Sequence, residues 1–301
     1  MRRRTFISAT ATLLGSPAAL RGSPDAGSTS RALVEEELEL PGDPKLARRA
    51  LLLRPRVAPE ATAQRVLVLL HGLGETRSEA LGLIAWSKLY GLASTYERLA
   101  SPPLTRTLPK ARYLTDARLA ELNRDLRERP FAGFWLVCPT TPNPQRLPPA
   151  ERTLTRYADW LRDSLLPAVR KRLPKPAQPL HVGLDGCSMG GYVALEVFLR
   201  KPEIFGTFGG VQSAFGAGAA SRYAERIGAA LKRAGPRAIH LETSTGDPYR
   251  RANEHLSRKL TALGIQNQLR VIPGPHDQAW LREIGTLEML LFHDRNLGRR
   301  A

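Results

Sequence analysis

Apolar residues in this chain fall into short unbroken runs, separated by longer stretches in which they recur every three or four positions. Residues 65–70 (RVLVLL), 134–138 (FWLVC) and 180–184 (LHVGL) are such runs, and runs of this length predict strands covered on both faces. Residues 238–242 and 268–272 add two more, and 208–212 is a weaker candidate. Ahead of them, residues 33–40 and 47–54 flank Pro41-Gly42-Asp43-Pro44 and predict an antiparallel hairpin. The intervening stretches carry helical periods. Residues 154–173 set Tyr157, Leu161, Leu165 and Val169 on one stripe, with a kink expected at Pro167. Further helices are predicted over 192–200, 219–233, 250–263 and 278–291. Strands alternating with amphipathic helices imply βαβ units. Residues 31–301 therefore read as one α/β domain, a mostly parallel sheet flanked by helices with the hairpin at its edge.

One region breaks this rhythm. About sixty residues separate His71-Gly72 from the strand at 134, where a single helix would suffice. They hold helical pieces at 81–99 and 116–129 around Pro102-Pro103 and Pro109. A helical insertion over about 75–132, after the third strand's carboxyl end, is placed to overlie the ligand crevice as a lid or pocket wall. Peripheral packing without substrate contact is the competing expectation.

Composition narrows the class. With 42% hydrophobic and 24% charged residues, the 301-residue chain can bury a sizeable core. Beyond the N-terminus no apolar run reaches the ~18 residues of a membrane span. The net charge of +17 is unusual, yet Arg supplies 37 of the 45 basic residues and they are spread nearly evenly. Nucleic-acid binders concentrate their bases into a stripe or arm, so no nucleic-acid partner is expected. The opening Arg2-Arg3-Arg4-Thr5-Phe6-Ile7, followed by small and apolar residues to Leu20, has the pattern of an export signal. It resembles a bacterial twin-arginine signal, although the residue before Arg3 is Arg rather than Ser or Thr. Residues 1–30 thus read as signal and linker, with a fair cleavage site at Ser16-Pro17-Ala18. The mature chain is expected outside the cytoplasm, periplasmic or extracellular, with no stable membrane insertion once the signal is gone.

The candidate chemistry begins at Gly186-Cys187-Ser188-Met189-Gly190, a G-x-S-x-G sequence between a predicted strand and a predicted helix. That context is what a nucleophile elbow requires, because a sharp turn must present the serine at the sheet's carboxyl edge. A serine hydroxyl needs a base to take its proton, and on this architecture the order is Ser, acid, His. His71 and His181 precede Ser188, His240 lies in a strand pattern and His255 in mid-helix, and His293 is expected beyond the last helix. His276 remains, on a loop after the strand at 268–272. The acid should leave the sheet between them, which selects Asp247 on Thr243-Ser244-Thr245-Gly246-Asp247-Pro248. Asp247 is also open to reading as a helix cap. Glu242 is the fallback acid, and Asp277 lies too close to His276 to be its partner. The backbone N–H groups of Met189 and Leu73 are the expected oxyanion donors, with His71 bracing the His71-Gly72-Leu73-Gly74 loop. Trp86, Tyr90 and Arg146 are candidates for substrate contact or for plain packing. Cys138 and Cys187 would stand two strand spacings apart, about 10 Å, too far for a disulfide.

Together, Leu70-His71-Gly72-Leu73-Gly74, Gly186-Cys187-Ser188-Met189-Gly190-Gly191, Gly246-Asp247 and Gly274-Pro275-His276-Asp277 with Trp280 resemble the α/β-hydrolase superfamily. Within it they are similar to the putative-esterase branch that includes esterase D and the feruloyl and acetylxylan esterases, over about residues 33–292. The resemblance implies an eight-stranded α/β-hydrolase fold. It also implies carboxylic-ester hydrolysis through an acyl-enzyme and a Ser188–Asp247–His276 triad; nothing in the sequence indicates a metal or an organic cofactor, and none is expected. Its substrate would be a small-molecule or polysaccharide-linked ester. The long insertion departs from the compact members, so the pocket does not carry over, and an export signal argues against a cytosolic glutathione thioester. An acyltransferase using the same triad and a catalytically silent binding module are the alternatives.

Overall fold

The computed structural model describes residues 32–57, 64–108, 110 and 112–299. The segment read as export signal and linker lies outside them. The strands are β1 Leu33–Glu39, β2 Arg49–Pro55, β3 Val66–Leu70, β4 Trp135–Pro139, β5 Val182–Gly186, β6 Thr207–Val211, β7 Ala238–Ser244 and β8 Gln268–Ile272. They form one eight-stranded sheet in the order β1-β2-β4-β3-β5-β6-β7-β8. The β1–β2 hairpin is antiparallel and lies at the edge, and β2 joins β4 antiparallel. All pairings from β4 to β8 are parallel. This is the α/β-hydrolase fold with the expected hairpin edge.

Strand alternation divides the core in two. On β3, Val66, Val68 and Leu70 face one helical layer while Leu67 and Leu69 face the other. On β4, Trp135 and Val137 oppose Leu136 and Cys138 in the same way, because successive side chains of a strand point to opposite faces. One layer consists of α4 Ala150–Trp160, α5 Leu166–Arg170, α6 Met189–Arg200, α7 Ala220–Ala234 and α8 Arg250–Ala262. The insertion opens with α1 Glu79–Ile84, and the other layer is built from its helices α2 Leu92–Ala100 and α3 Asp116–Glu128, together with α9 Gln278–Trp280 and α10 Thr286–Asn296. The insertion thus supplies half of a core face through Trp86, Leu92, Tyr96, Leu99, Leu122 and Leu126.

Three predicted helices are interrupted, two of them for a plain local reason. The 81–99 helix passes from α1 through a wide π turn at Ala85–Leu89 and breaks at Gly91, whose φ of +70° is a conformation glycine adopts without strain. The 154–173 helix widens at Leu161–Leu165, just ahead of Pro167. A π turn there accommodates a proline that can neither donate to the helical ladder nor fit its ring against the preceding turn. The C-terminal helix widens at Leu281–Gly285 and then continues to Asn296.

That continuation corrects one expectation: His293 lies inside α10, fully buried, rather than beyond the last helix. Its Nε2–H donates to Asp185 Oδ2 at 2.9 Å, and its Nδ1 accepts the Thr207 hydroxyl at 2.8 Å. His240 stands beside the same carboxylate, 3.5 Å from Asp185 Oδ2, and 3.2 Å from Glu242 Oε2. Burial pulls the His240 imidazole down, but the two carboxylates outweigh it and push it up to about 9. This cluster pins α10 beneath β5, β6 and β7. Among the described residues no helix is long and apolar enough to cross a membrane.

Phe208 stacks on Phe198 with ring centroids 4.9 Å apart, between β6 and α6. Phe208→Ala should lower the unfolding free energy by about 3–5 kcal/mol through lost burial and the cavity left behind. Urea denaturation followed by far-UV circular dichroism reads this loss, and a change below about 1 kcal/mol would contradict the packing described.

Candidate active site

β5 ends at Gly186, and α6 starts at Met189, leaving Cys187 and Ser188 to make the whole reversal. Ser188 adopts φ 55°, ψ −119°, a strained combination that costs of order 1–3 kcal/mol. It is held there by its own backbone: Ser188 N–H donates to Val211 O at 2.8 Å, and Ser188 O accepts Ala214 N–H at 2.9 Å. The glycines are required by contact. A Cβ on Gly186 would lie 2.4 Å from Gly190 O, and one on Gly190 would lie 2.2 Å from Leu70 O. The elbow therefore presses directly on the end of β3.

The structure brings Ser188, His276 and Asp247 together. Ser188 Oγ lies 3.1 Å from His276 Nε2, and His276 Nδ1 lies 2.9 Å from Asp247 Oδ1. An ionised carboxylate only accepts, so Nδ1 carries the hydrogen and Nε2 accepts the serine hydroxyl. Asp247 is buried, and its Oδ2 takes the Thr243 hydroxyl at 2.6 Å. Its Oδ1 also accepts Tyr249 N–H at 2.9 Å in the turn ahead of α8; the N-cap of that helix is Tyr249, so Asp247 is not its cap. The Tyr249 ring stands edge-on to the His276 ring, centroids 5.9 Å apart.

The fallback acid is not brought to this point. Glu242 is fully buried against His240, and burial pushes its carboxyl up to about 7. Asp277 caps the short α9 by accepting Trp280 N–H at 2.8 Å.

His71 is buried and braces the turn after β3. Thr141 N–H donates to its Nε2 at 2.9 Å, its Nδ1–H donates to Gly72 O at 3.0 Å, and its own amide donates to Thr141 Oγ1 at 3.0 Å. Burial lowers its pKa, which suits the neutral ring these bonds require. A Cβ on Gly72 would lie 3.7 Å from Ser188 Cβ, so this turn borders the nucleophile elbow. Leu73 opens the following 3₁₀ turn with its side chain half exposed, and Met189 opens α6. The first amides of a helix have no partner within it, and α6 directs its positive end at the elbow.

Two positioning groups escaped the sequence reading. Tyr90, a candidate for substrate contact, is buried: its hydroxyl accepts Gly72 N–H at 3.1 Å and donates to Glu75 Oε2. Glu75 Oε1 in turn accepts Gln278 Nε2–H at 3.1 Å, tying the β3 turn to the loop that carries His276. The second is Gln212, at φ 51° past β6. Its Nε2 donates to Ser244 Oγ at 2.7 Å and to Pro275 O at 3.0 Å, next to His276. Trp86 is buried in the core, and Arg146 is exposed. Cys138 and Cys187 are both free and buried, with β3 between their strands; burial pushes both thiols up.

Fold and elbow together define the class: the chain has the α/β-hydrolase fold. Residues 142–279, the stretch holding Ser188, Asp247 and His276, match the family described as "Putative esterase". The resemblance read from the motifs is borne out, and the family match supports a hydrolase acting on esters. Among solved structures, a ferulic acid esterase aligns at TM-score 0.60 with 15% identity, over 88% of this chain and all (100%) of that one. The S-formylglutathione hydrolase FrmB from Staphylococcus aureus aligns at 0.59 with 15% identity, over 87% and 96%. A CE1 ferulic acid esterase from Anaeromyces mucronatus aligns at 0.57 with 14% identity, over 94% and 96%. No curated protein matches the chain.

Tyr90→Phe would leave the Gly72 amide and Glu75 Oε2 each without the hydroxyl that satisfies it. A loss of about 1–3 kcal/mol in stability is expected, measured as a fall in urea midpoint at constant m-value. An unchanged midpoint would mean that water replaces the hydroxyl at no cost.

Proposed function

We propose that the chain is a serine carboxylic-ester hydrolase working through an acyl-serine intermediate. The observation that carries this reading is the pair of contacts at His276, Nε2 to Ser188 Oγ at 3.1 Å and Nδ1 to Asp247 Oδ1 at 2.9 Å. Each ring nitrogen is committed to one partner, in the sense that makes the imidazole a base toward the serine.

In the first half-reaction Ser188 Oγ bonds to the ester carbonyl carbon while its proton passes to His276 Nε2. The carbonyl oxygen becomes an oxyanion that takes the N–H groups of Leu73 and Met189. Gly72 N–H is already spent on Tyr90, which favours Leu73 as the donor from that turn. Collapse breaks the bond to the alcohol oxygen, which leaves with the proton from His276. A water then gives its proton to His276 and attacks the acyl carbon, and Ser188 recovers the proton as the acid departs. Asp247 stays ionised throughout, fixing the ring tautomer and stabilising the imidazolium.

Ser188 is thus the nucleophile and His276 the general base and acid, while the start of the insertion, Thr76 to Gly82, forms a pocket wall. The substrate is a small-molecule or polysaccharide-linked ester. The ferulic acid esterases among the structural neighbours favour an ester of that kind.

A fluorophosphonate probe should label the folded protein at Ser188, located by peptide mass mapping, and the protein should hydrolyse 4-nitrophenyl acetate. Ser188→Ala should abolish both. Asp247→Asn, which keeps the shape but reverses the tautomer preference, should lower kcat by about 10⁴-fold. Labelling of no serine in the folded wild type would overturn the assignment.

A further inference from the structure

Three hollows bear on where a substrate sits. Two of them, about 780 and 620 Å³, open where β7 and β8 begin, with Arg237 and Gln266 in the walls of both. Parallel strands carry that end away from the crevice by the length of a strand, about 17 Å for five residues. A third, about 350 Å³, lies between the turn after β3, the loop after β4 and the β1–β2 connection. His71, Glu75 and Thr76 form its wall. It therefore shares the turn whose Gly72 borders Ser188.

The charges around this hollow are unbalanced in a specific way. Its acidic side chains are already committed. Glu75 accepts from Tyr90 and Gln278, and Glu79 takes Arg48 and Arg49 at 3.2 Å each. Asp43, near Lys45 in the hairpin connection, is paired with Arg156 at 3.1 Å. Lys45, Arg77 and Arg146 also line the hollow, and all three are exposed. Among the described ion pairs none involves them, whereas Arg48, Arg118, Arg200 and Arg295 are each held by carboxylates. The Asn143 side chain, nearly buried in the same wall, accepts Gln145 N–H at 3.0 Å through its oxygen. Its amide N–H₂ group remains for a guest.

We propose that this hollow recognises an anionic group, so that the preferred ester carries a carboxylate, sulfate or phosphate beside the bond being cleaved. The proposal rests on the esterase reading and adds the substrate class to it. Three cations lining one concave hollow focus the field on a bound anion. The exposed geometry makes each contribution modest and sensitive to salt. The anion resides on the acyl side or the alcohol side of the ester, and the recognising chemistry is the same for both.

The test compares matched pairs. On the acyl side, the mono-4-nitrophenyl ester of adipic acid is set against 4-nitrophenyl hexanoate. On the alcohol side, 4-acetoxybenzoate is set against its methyl ester. In one of the two pairs kcat/KM should favour the anionic member by about ten-fold at 20 mM salt, mainly through KM, and the preference should shrink towards unity at 0.5 M salt. The triple variant K45E/R77E/R146E should bring the ratio to one or below. Reversal of three remote exposed charges, R124E/R127E/R258E, should leave the preference in place.

Equal or poorer turnover of both anionic members, with the neutral esters hydrolysed and Ser188 labelled, would overturn this proposal while the esterase reading stands. Equal erosion of the ratio by the remote variant would overturn it too, by tracing the preference to bulk charge. If no ester is turned over and Ser188 stays unlabelled, the esterase reading falls and the pocket assignment falls with it.

Discussion

The close approach of the elbow to the end of β3 is the constraint from which the rest of the site follows. Gly190 lies so near Leu70 O and His71 O that a methyl group would overlap both, at 2.2 and 2.6 Å. This contact sets the start of α6 against the turn after β3, so the amides of Met189 and Leu73 come from two elements locked backbone to backbone. Ser188 is held in its strained conformation by bonds to Val211 and Ala214. The strain is balanced by ordinary strand and turn hydrogen bonds rather than by the side chain, and the hydroxyl is left free to meet His276.

The second half of the site depends on tying three loops at the carboxyl ends of β6, β7 and β8. Gln212 spans from the first to Ser244 and Pro275, and Ser244 also donates to Pro275 O at 2.8 Å. Gly246 N–H donates to Gly274 O at 2.8 Å, and Thr245 Oγ1 accepts Gly274 N–H at 3.1 Å. The acid loop and the imidazole loop are thereby laced along their length. A His–Asp distance set this way is a property of the sheet edge, not of two flexible side chains, as preorganised chemistry requires.

Much of this was legible in the sequence because its signals are local. The apolar run at 65–70 needs only its own residues to declare a strand covered on both faces, and the glycines around Ser188 declare a turn too tight for side chains. Chain order then removes two of the six histidines, and of the four that follow Ser188 only His276 falls on a loop after a strand. What escaped is what depends on distant partners. Tyr90 meets Gly72 across 18 positions, and Gln212 meets Pro275 across 63; neither residue has a periodic neighbourhood that announces its role. The insertion illustrates the same divide. Its helical periods were readable, but its place as half of a core face follows from α10, two hundred residues later. Two misjudged boundaries did carry a signal. Gly91 marks the break between α1 and α2, and Gly298, at φ +80°, ends the helix that holds His293.

The molecule contains two carboxylate–imidazole pairs of the same length, and their contrast explains why only one is a candidate for chemistry. Asp185 and His293 meet at 2.9 Å, as Asp247 and His276 do. In the first pair the other ring nitrogen is taken by Thr207 and both side chains are fully buried, so the imidazole has neither a reacting partner nor a route to one. Burial pulls the His293 imidazole down and outweighs the opposing pull of the Asp185 carboxylate, and the pair serves to anchor α10. In the second pair the carboxylate is buried, but the ring is about a quarter exposed (26%) and its free nitrogen faces a hydroxyl. Distance alone does not separate an anchor from a base. The commitment of the second nitrogen and the access of solvent to the ring do, and both are set by position: His293 is in mid-helix under the sheet, whereas His276 is on a loop at the rim where the parallel strands end.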